Sequence, residues 1–233
     1  MTAHQIVSHD DWITASQALL KKEKEFTKLR EQMAEERRKL PWEKVEKEYV
    51  FQAPEGRVTL AELFAGRGQL IVQHFMFGPD WSEGCPSCSY WSDNFNGIQD
   101  HLAARDTSFV VVSRGPIEKL EAYRKRMGWR FRWVSSAGND FNFDYRVSFA
   151  KGETALRYNF DTIKPHGEEN PGISAFRREN GVVFHTYSTY GRGLDLLNGA
   201  YHLLDITSKG RDEAELPWPM AWVRRHDKYQ KEA

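Results

Sequence analysis

Apolar runs separated by polar turns divide the chain into alternating strands and helices. Some of these runs have the near-continuous hydrophobicity of strands that are covered on both faces. The predicted strands cover residues 69–77, 108–113 and 131–134, and the predicted helices between them cover residues 85–104 and 116–128. This alternation predicts an α/β sandwich, in which helices flank a central mixed sheet.

The first 40 residues have a different pattern. Residues 10–40 predict one long helix, which Ser8 or Asp10 can cap and Pro41 ends. Its apolar residues recur every seventh position, at Trp12, Leu19, Phe26 and Met33. Such a stripe is typical of an amphipathic helix that lies on its own domain, or of an arm that packs on a second subunit. A homodimer through this helix is therefore one expectation.

Several shorter signals complete the pattern. Residues 48–51 predict a first strand, and Thr59 and Glu62 have the spacing of a capping box for a short helix. Asn180-Gly181 between two β-patterned runs predicts a hairpin, and residues 194–204 predict a helix. Because no internal repeat or low-complexity linker is present, we expect a helical extension over residues 1–46 and one domain over 47–233.

The composition narrows the class of protein. Lysine plus arginine equals aspartate plus glutamate at 33 each, so the charge gives no sign of a nucleic-acid or anionic-membrane partner. No apolar stretch has the length of a transmembrane helix, and no secretory signal is recognisable at the N-terminus. A cytoplasmic protein is the expectation. Only two cysteines are present, which excludes a disulfide scaffold.

The two cysteines form the motif Cys85-Pro86-Ser87-Cys88, between a buried strand and a helix. Residues three apart share one helical face, so the two sulfurs can bond each other. The helix N-terminus stabilises a thiolate at Cys85, and Pro86 suits the first helical turn. These features indicate a redox pair with Cys85 as the attacking thiol and Cys88, one turn further in, as the resolving thiol.

A metal site is the competing interpretation of the same cysteines. Zinc sites also use Cys-x-x-Cys pairs, but the chain has no second pair and no His-x₃₋₅-His spacing. A copper- or zinc-binding module would need Cys85, Cys88 and a histidine such as His185. For the redox pair we predict no metal ligand and no cofactor. The copper- or zinc-binding module remains an alternative.

Three segments carry a resemblance to a known family: FMFGPDWSEGCPSCSYWSD (75–93), GWRFRWVSSAGNDFNFDYRVS (128–148) and FHTYSTYGRGLDLLNGAYHLLDITSKGR (184–211). They resemble a bacterial family of thioredoxin-like proteins of unknown function, related to the alkyl hydroperoxide reductase and thiol-specific antioxidant group. The resemblance covers nearly the whole chain. It implies a thioredoxin-like three-layer sandwich and a dithiol–disulfide oxidoreductase whose active cysteines are Cys85 and Cys88.

The resemblance also implies substrate-binding positions. The tryptophan that often precedes the motif has a loose counterpart in Trp81. The cis-proline loop that faces the cysteines corresponds to Gly172-Ile173-Ser174, with Ser174 in place of proline, or alternatively uses Pro171. The peroxidatic loop of peroxiredoxins has a partial match at Ser82, while its proline is shifted to Pro79. A peroxiredoxin-like peroxidase is therefore a further alternative.

Other polar residues are candidates for the same site. On a regular strand His185 and Tyr187 point the same way. Together with Arg192 they could line the cysteine cleft, or could form a hydrogen-bonded cluster. We interpret His74 as a satisfied core histidine. The alternating residues 140–144 are interpreted as a strand with one wet face, and residues 224–226 as surface charge.

The sequence thus predicts a cytoplasmic thiol–disulfide oxidoreductase. Its expected partners are a protein or small-molecule disulfide and an unidentified reductant, without nucleic acid or membrane.

Overall fold

The computed structural model of the protein describes residues 4–164 and 167–229. The helices are α1 His9–Lys39, α2 Pro86–Phe95, α3 Gln99–Ala103, α4 Ile117–Arg126, α5 Phe141–Asp144 and α6 Gly199–Asp205. Short 3₁₀ helices cover Glu62–Phe64, Gly191–Leu197 and His226–Lys228. The strands are β1 Glu43–Lys44, β2 Val50–Ala53, β3 Gly56–Thr59, β4 Gln69–His74, β5 Thr107–Ser113, β6 Arg132–Ser135, β7 Leu156–Tyr158, β8 Asp161–Ile163, β9 Gly172–Glu179 and β10 Val182–Tyr190.

The chain divides into two compact units, residues 1–41 and 42–233. The first unit is the predicted long helix α1. The Ser8 side chain accepts a hydrogen bond from the Asp11 backbone N–H at 3.2 Å, as expected of an N-cap. The helix ends two residues before Pro41, and none of its residues is buried.

The second unit is built on an eight-stranded sheet in the order β1-β10-β9-β4-β5-β6-β2-β3. Strands β4, β5 and β6 lie side by side and run parallel to one another, whereas β9 pairs with β4 in the antiparallel direction. The predicted mixed sheet with flanking helices and a long N-terminal helix is therefore confirmed. The Asn180-Gly181 hairpin is also confirmed, since both residues have the positive φ that a two-residue turn of this kind needs.

Two apolar cores cover the two faces of this sheet. Alternate residues of β4 and β5 point to opposite faces, so Val111 joins one core and Val110 and Val112 the other. Helices α2, α4 and α6 pack on the first face, where the core is largely aromatic and includes Phe75, Trp133 and Tyr201. The 3₁₀ helix Glu62–Phe64 and α5 cover the second face. The cysteines belong to the first face.

Three local predictions were wrong. The helix predicted over 85–104 is two helices, because the chain turns at Gly97 with φ +97°. The helix predicted over 194–204 is a 3₁₀ helix followed by α6, which the Asn198 side chain caps. The alternating segment 140–144 contains helix α5 rather than a strand.

Candidate active site

The dithiol lies where β4 leaves the sheet and α2 begins. Cys85 is the N-cap residue of α2, and Pro86 occupies the first helical position, where it needs no N–H partner. The backbone N–H of Cys85 donates to the Met76 carbonyl at 3.1 Å. The motif is therefore attached to the chain that follows β4, in the strand–loop–helix setting that the sequence predicted.

Cys85 is partly exposed, and its sulfur faces hydrogen-bond donors. The Cys88 backbone N–H lies 3.5 Å from Cys85 Sγ. The hydrogen bond from the Cys88 thiol, together with the backbone N–H groups of Cys88 and Ser87 and the charge of Arg225, lowers the pKa of Cys85 to about 7. At neutral pH Cys85 is therefore divided about equally between thiol and thiolate.

Cys88 has the opposite environment. It is buried at 4% exposure, and the Met76 backbone N–H lies 3.5 Å from its Sγ. Burial, and then the neighbouring Cys85 sulfur, raise the pKa of Cys88 well above its usual range; the buried carboxyl of Glu169 acts in the same direction. Cys88 therefore remains a thiol while Cys85 ionises.

Arg225 supports the start of this motif from far along the chain. Its guanidinium donates to the Gly84 carbonyl, from Nη2 at 2.6 Å, and pairs with Glu83 at 3.0 Å. It also donates to the Tyr123 hydroxyl at 3.1 Å. The interpretation of Arg225 as surface charge was wrong. No local sequence signal marks this contact, because it is made only when the C-terminal segment folds against the loop.

A cavity of about 500 Å³ opens beside both cysteines. Ile173 and Arg192, two of the predicted substrate-binding residues, are among its lining residues. Pro171, the alternative position for the loop that faces the cysteines, lines the cavity as well, whereas Ser174 does not. The Arg192 side chain is 61% exposed and forms an ion pair with Asp195 at 2.6 Å. Substrate binding by Ile173 and Arg192 stays a prediction, and their position is consistent with it.

Ser174 does not line this cavity. It is fully buried in β9, and its hydroxyl lies 2.8 Å from His74 Nε2 and 2.7 Å from the Ser188 hydroxyl. It is paired in register with Val72, which belongs to the core on the second face of the sheet. The prediction that places Ser174 opposite the cysteines is therefore wrong, because the alternation of β9 turns its side chain to the other face.

His185 and Tyr187 point to opposite faces of the sheet, so the prediction of a shared direction was wrong. A β-bulge lies between them: His185 is opposite Phe176, whereas Tyr187 is opposite the preceding residue, Ala175. The extra residue reverses the alternation of side chains. His185 therefore packs against Phe176 on the second face and hydrogen-bonds Ser188 and Glu43, at 2.7 and 3.2 Å. Neither residue lines the cysteine cavity.

Trp81 lies in the loop before the motif, partly buried against the core of the first face. Its indole packs over Gly78, where a Cβ would come within 2.9 Å of Nε1. Trp81 is not among the residues that line the cavity, so its position supports a loop-packing function rather than substrate contact.

Several residues that line the cavity were not predicted as site residues. Gln73 orients α2 by donating to the Cys88 carbonyl at 3.4 Å and accepting from Ser92 at 2.9 Å. Asn170 lines the cavity and keeps a buried Nδ2 without a hydrogen-bond partner among the described residues. Trp218 and Met220 form part of the wall from the C-terminal segment. Two polar residues inside the β4 pattern, Gln73 and His74, were the local signals for this cavity. The interpretation of His74 as a satisfied core histidine holds in part: Nε2 bonds Ser174, whereas the buried Nδ1 has no hydrogen-bond partner among the described residues.

The metal alternative receives no support from the geometry. Within residues 4–164 and 167–229, no group of three or more His, Cys, Asp or Glu side chains is arranged to hold a metal ion. His185, the histidine that this alternative used, lies on the other face of the sheet from the cysteines.

The structure is a mixed α/β sheet with flanking helices, and it places a cysteine pair at the N-terminus of α2. The chain belongs to the family described as "Bacterial protein of unknown function (DUF899)", which it matches over residues 1–229. None of the curated proteins matches this chain. Among the described residues, no helix is both long and apolar enough to cross a membrane.

Solved structures similar to this chain include several peroxiredoxins. Peroxidoxin BcpB from Mycobacterium tuberculosis is 13% identical, with a TM-score of 0.47, covering 72% of this chain and 99% of its own. Peroxiredoxin Q from Xanthomonas campestris is 14% identical, with a TM-score of 0.43, covering 64% and 86%. The mitochondrial 2-Cys peroxiredoxin from Plasmodium falciparum is 12% identical, with a TM-score of 0.43, covering 70% and 94%.

Proposed function

We propose that the protein is a thiol–disulfide oxidoreductase in which Cys85 attacks and Cys88 resolves. The observation that carries the proposal is the placement of two thiols beside one cavity, with Cys85 partly exposed at the start of α2 and Cys88 buried one turn further in. The pKa of Cys85 is lowered to about 7, whereas that of Cys88 is raised well above its usual range. A partly exposed thiolate backed by a protonated thiol is the arrangement that sequential disulfide exchange requires.

The reaction has two exchange steps. The Cys85 thiolate attacks one sulfur of a substrate disulfide R–S–S–R′, forms a Cys85–S–S–R bond and releases R′S⁻. Cys88 then loses its proton and attacks Cys85 Sγ, which releases RS⁻ and leaves a Cys85–Cys88 disulfide. The substrate gains two electrons and the protein loses two. A dithiol reductant restores the starting state.

The test is to trap the intermediate. In Cys88→Ser the resolving sulfur is absent, so a reduced sample treated with a disulfide should accumulate one mixed disulfide on Cys85, visible by intact mass spectrometry. Serine keeps a donor next to Cys85 Sγ, so the attacking thiolate is retained. Cys85→Ser is the matched control and should form no rapid adduct. Equal adduct formation on both variants, or none on Cys88→Ser, would refute the proposal.

Peroxide reduction is the second candidate, favoured by the partial exposure of Cys85 and by its resolving partner within one helical turn. The thiolate would attack the O–O bond of ROOH, giving a Cys85 sulfenic acid and ROH. Cys88 would then form the disulfide and release water. The rates at which hydrogen peroxide and a disulfide oxidise the reduced protein, compared by quenched mass analysis, separate the two candidates.

Cytoplasmic location is part of the same proposal. It is supported by a chain that has only two cysteines and so lacks the several distributed pairs that are typical of disulfide-stabilised secreted proteins.

A further inference from the structure

We infer that the substrate of Cys85 is a small, largely apolar disulfide with one hydrogen-bond acceptor, and not a disulfide within a polypeptide. The inference rests on the proposed function and specifies its substrate class. Three features support this inference: the cavity beside Cys85, the backbone that borders the cavity, and the Asn170 side chain.

The cavity has the size and lining of a small-molecule site. Its volume of about 500 Å³ lies within the range of sites that enclose small ligands. Its wall is mainly apolar and aromatic, and the residues that supply this surface are Met76, Trp91, Ile173, Leu194, Trp218 and Met220. Arg192 pairs with Asp195, which Arg211 also contacts, and Arg211 pairs in turn with Asp205. Two arginines are thus balanced by two carboxylates, so the wall does not select strongly for a charged ligand.

The backbone of residues 170–172, which borders the cavity, has little hydrogen-bonding capacity left for a polypeptide. An extended peptide substrate binds by pairing its main chain with free main-chain groups. Here the Asn170 N–H donates to the Val147 carbonyl at 2.8 Å, and Pro171 has no N–H. The Pro171 carbonyl accepts from the Tyr158 hydroxyl at 2.6 Å, and Gly172 is paired in the sheet on both sides.

Among the described residues, two that line the cavity keep a buried side-chain nitrogen without a hydrogen-bond partner, His74 and Asn170. The His74 ring packs against Phe141 and Tyr145 in the core of the second face, which leaves Asn170 as the donor at this border. Asn170 Nδ2 is buried and has no hydrogen-bond partner among the described residues, although its residue lines the cavity. A buried N–H without a partner is unfavourable, so rotation of the Asn170 amide towards the cavity, where a ligand acceptor can satisfy Nδ2, is favoured. An ether, hydroxyl or carbonyl oxygen on an otherwise apolar disulfide has the required chemistry.

The experiment compares disulfides of different bulk and polarity on the reduced full-length protein. The probes are dibutyl disulfide, bis(2-hydroxyethyl) disulfide, glutathione disulfide and insulin. Each second-order rate constant is measured by acid quench and mass analysis, and is divided by the constant for free dithiothreitol with the same probe. We expect the two small probes to exceed glutathione disulfide and insulin by about tenfold in this ratio.

Two variants test the two parts of the site. Asn170→Ala should slow bis(2-hydroxyethyl) disulfide and leave dibutyl disulfide unchanged, because only the former offers an oxygen acceptor. Trp218→Ala removes part of the wall and should lower the preference for small probes. Trp42→Ala is its matched control, since Trp42 is 45% exposed and packs on Phe184, away from the cavity.

The outcomes separate the two proposals. Normalised rates that are equal for insulin and dibutyl disulfide, with a trapped Cys85 adduct, would overturn the small-substrate inference and leave the oxidoreductase function standing. If Asn170→Ala slowed both small probes equally, the anchoring by Asn170 would be refuted. If no disulfide oxidised the protein faster than it oxidises free dithiothreitol, the proposed function itself would fail.

Discussion

Arg225 donates to the carbonyl oxygen of Gly84 from both Nε and Nη2, across 141 residues of sequence. Gly84 immediately precedes Cys85, and its own Cα packs so tightly that an added Cβ would lie 2.7 Å from Phe75 Cε1. The C-terminal segment therefore holds the start of the dithiol motif in place and adds a positive charge near the Cys85 sulfur.

Replacing this arginine should change both stability and thiol chemistry. In Arg225→Ala we expect the free energy of unfolding to fall by about 2 kcal/mol, because charge-assisted hydrogen bonds to partly buried groups are lost. The pKa of Cys85 should rise, since Arg225 contributes to lowering it. Urea unfolding and the pH dependence of alkylation measure the two effects.

Two further variants make this prediction specific. Arg225→Lys keeps the positive charge, so most of the lowering of the Cys85 pKa should remain. Lysine cannot donate from two nitrogens to the Gly84 carbonyl, so the free energy of unfolding should still fall. Arg178→Ala removes an exposed arginine of β9 and should change neither quantity. An unchanged alkylation profile in Arg225→Ala would show that the charge does not reach Cys85.

The two cysteines should titrate separately. Alkylation of the reduced protein by iodoacetamide should occur at Cys85 with a half-maximal rate near pH 7, and should slow as the pH falls below this value. Cys88 should stay unmodified until a much higher pH, because burial keeps it protonated. Peptide mass analysis after timed quenching assigns the two sites.

The Cys88 thiol is the largest cause of the lowered Cys85 pKa. Cys88→Ala removes this donor and should raise the pKa of Cys85, whereas Cys88→Ser should retain part of the effect. If Cys88→Ala and Cys88→Ser gave the same alkylation midpoint as the native protein, the backbone N–H groups alone would account for the thiolate.

His74 should make the fold sensitive to acid. It is 1% exposed, and burial, together with the charge of His185, lowers its pKa to about 3. In the unfolded chain a histidine protonates near pH 6.5, so the unfolded state binds one more proton between these values. The free energy of unfolding should therefore fall as the pH drops from 6.5 towards 3, by up to about 1.4 kcal/mol per pH unit.

His74→Gln should make this pH dependence shallower, because glutamine does not titrate but can still bond Ser174. The measurement is urea unfolding at several pH values between 4 and 7. His101→Gln is the control, since His101 is exposed on α3. The same slope in His74→Gln and the native protein would mean that other groups cause the acid sensitivity.

Helix α1 should bring two copies of the chain together. All four residues of its seven-residue stripe are solvent-exposed, at 57, 57, 54 and 42% for Trp12, Leu19, Phe26 and Met33. Its first turn is acidic and its last turn basic, so an antiparallel pair would place opposite charges together. We propose an antiparallel homodimer through this face.

Light scattering tests the dimer. The native protein should have the mass of two chains, and Leu19→Glu/Phe26→Glu should have the mass of one, because charges would replace the centre of the apolar stripe. Lys28→Glu lies on the opposite side of the helix and should remain dimeric. A native protein with the mass of a single chain would refute the proposal.

The sequence by itself determined the elements whose causes are local. Continuous apolar runs identified β4 and β5, Asn180-Gly181 identified the hairpin, and Ser8 and Pro41 bounded α1. The Cys85-Pro86-Ser87-Cys88 motif also contained its own asymmetry, because a helix start favours a thiolate at its first residue and shields the residue one turn further in.

Only the tertiary structure decided which residues surround the dithiol. The bulge between His185 and Tyr187 and the alternation at Ser174 turned predicted site residues to other faces, because one residue of register reverses every side chain of a strand. Arg225, Asn170 and Trp218 reach the cysteine region from distant segments. Such contacts depend on how the sheet and the C-terminal segment pack, and no local pattern records them.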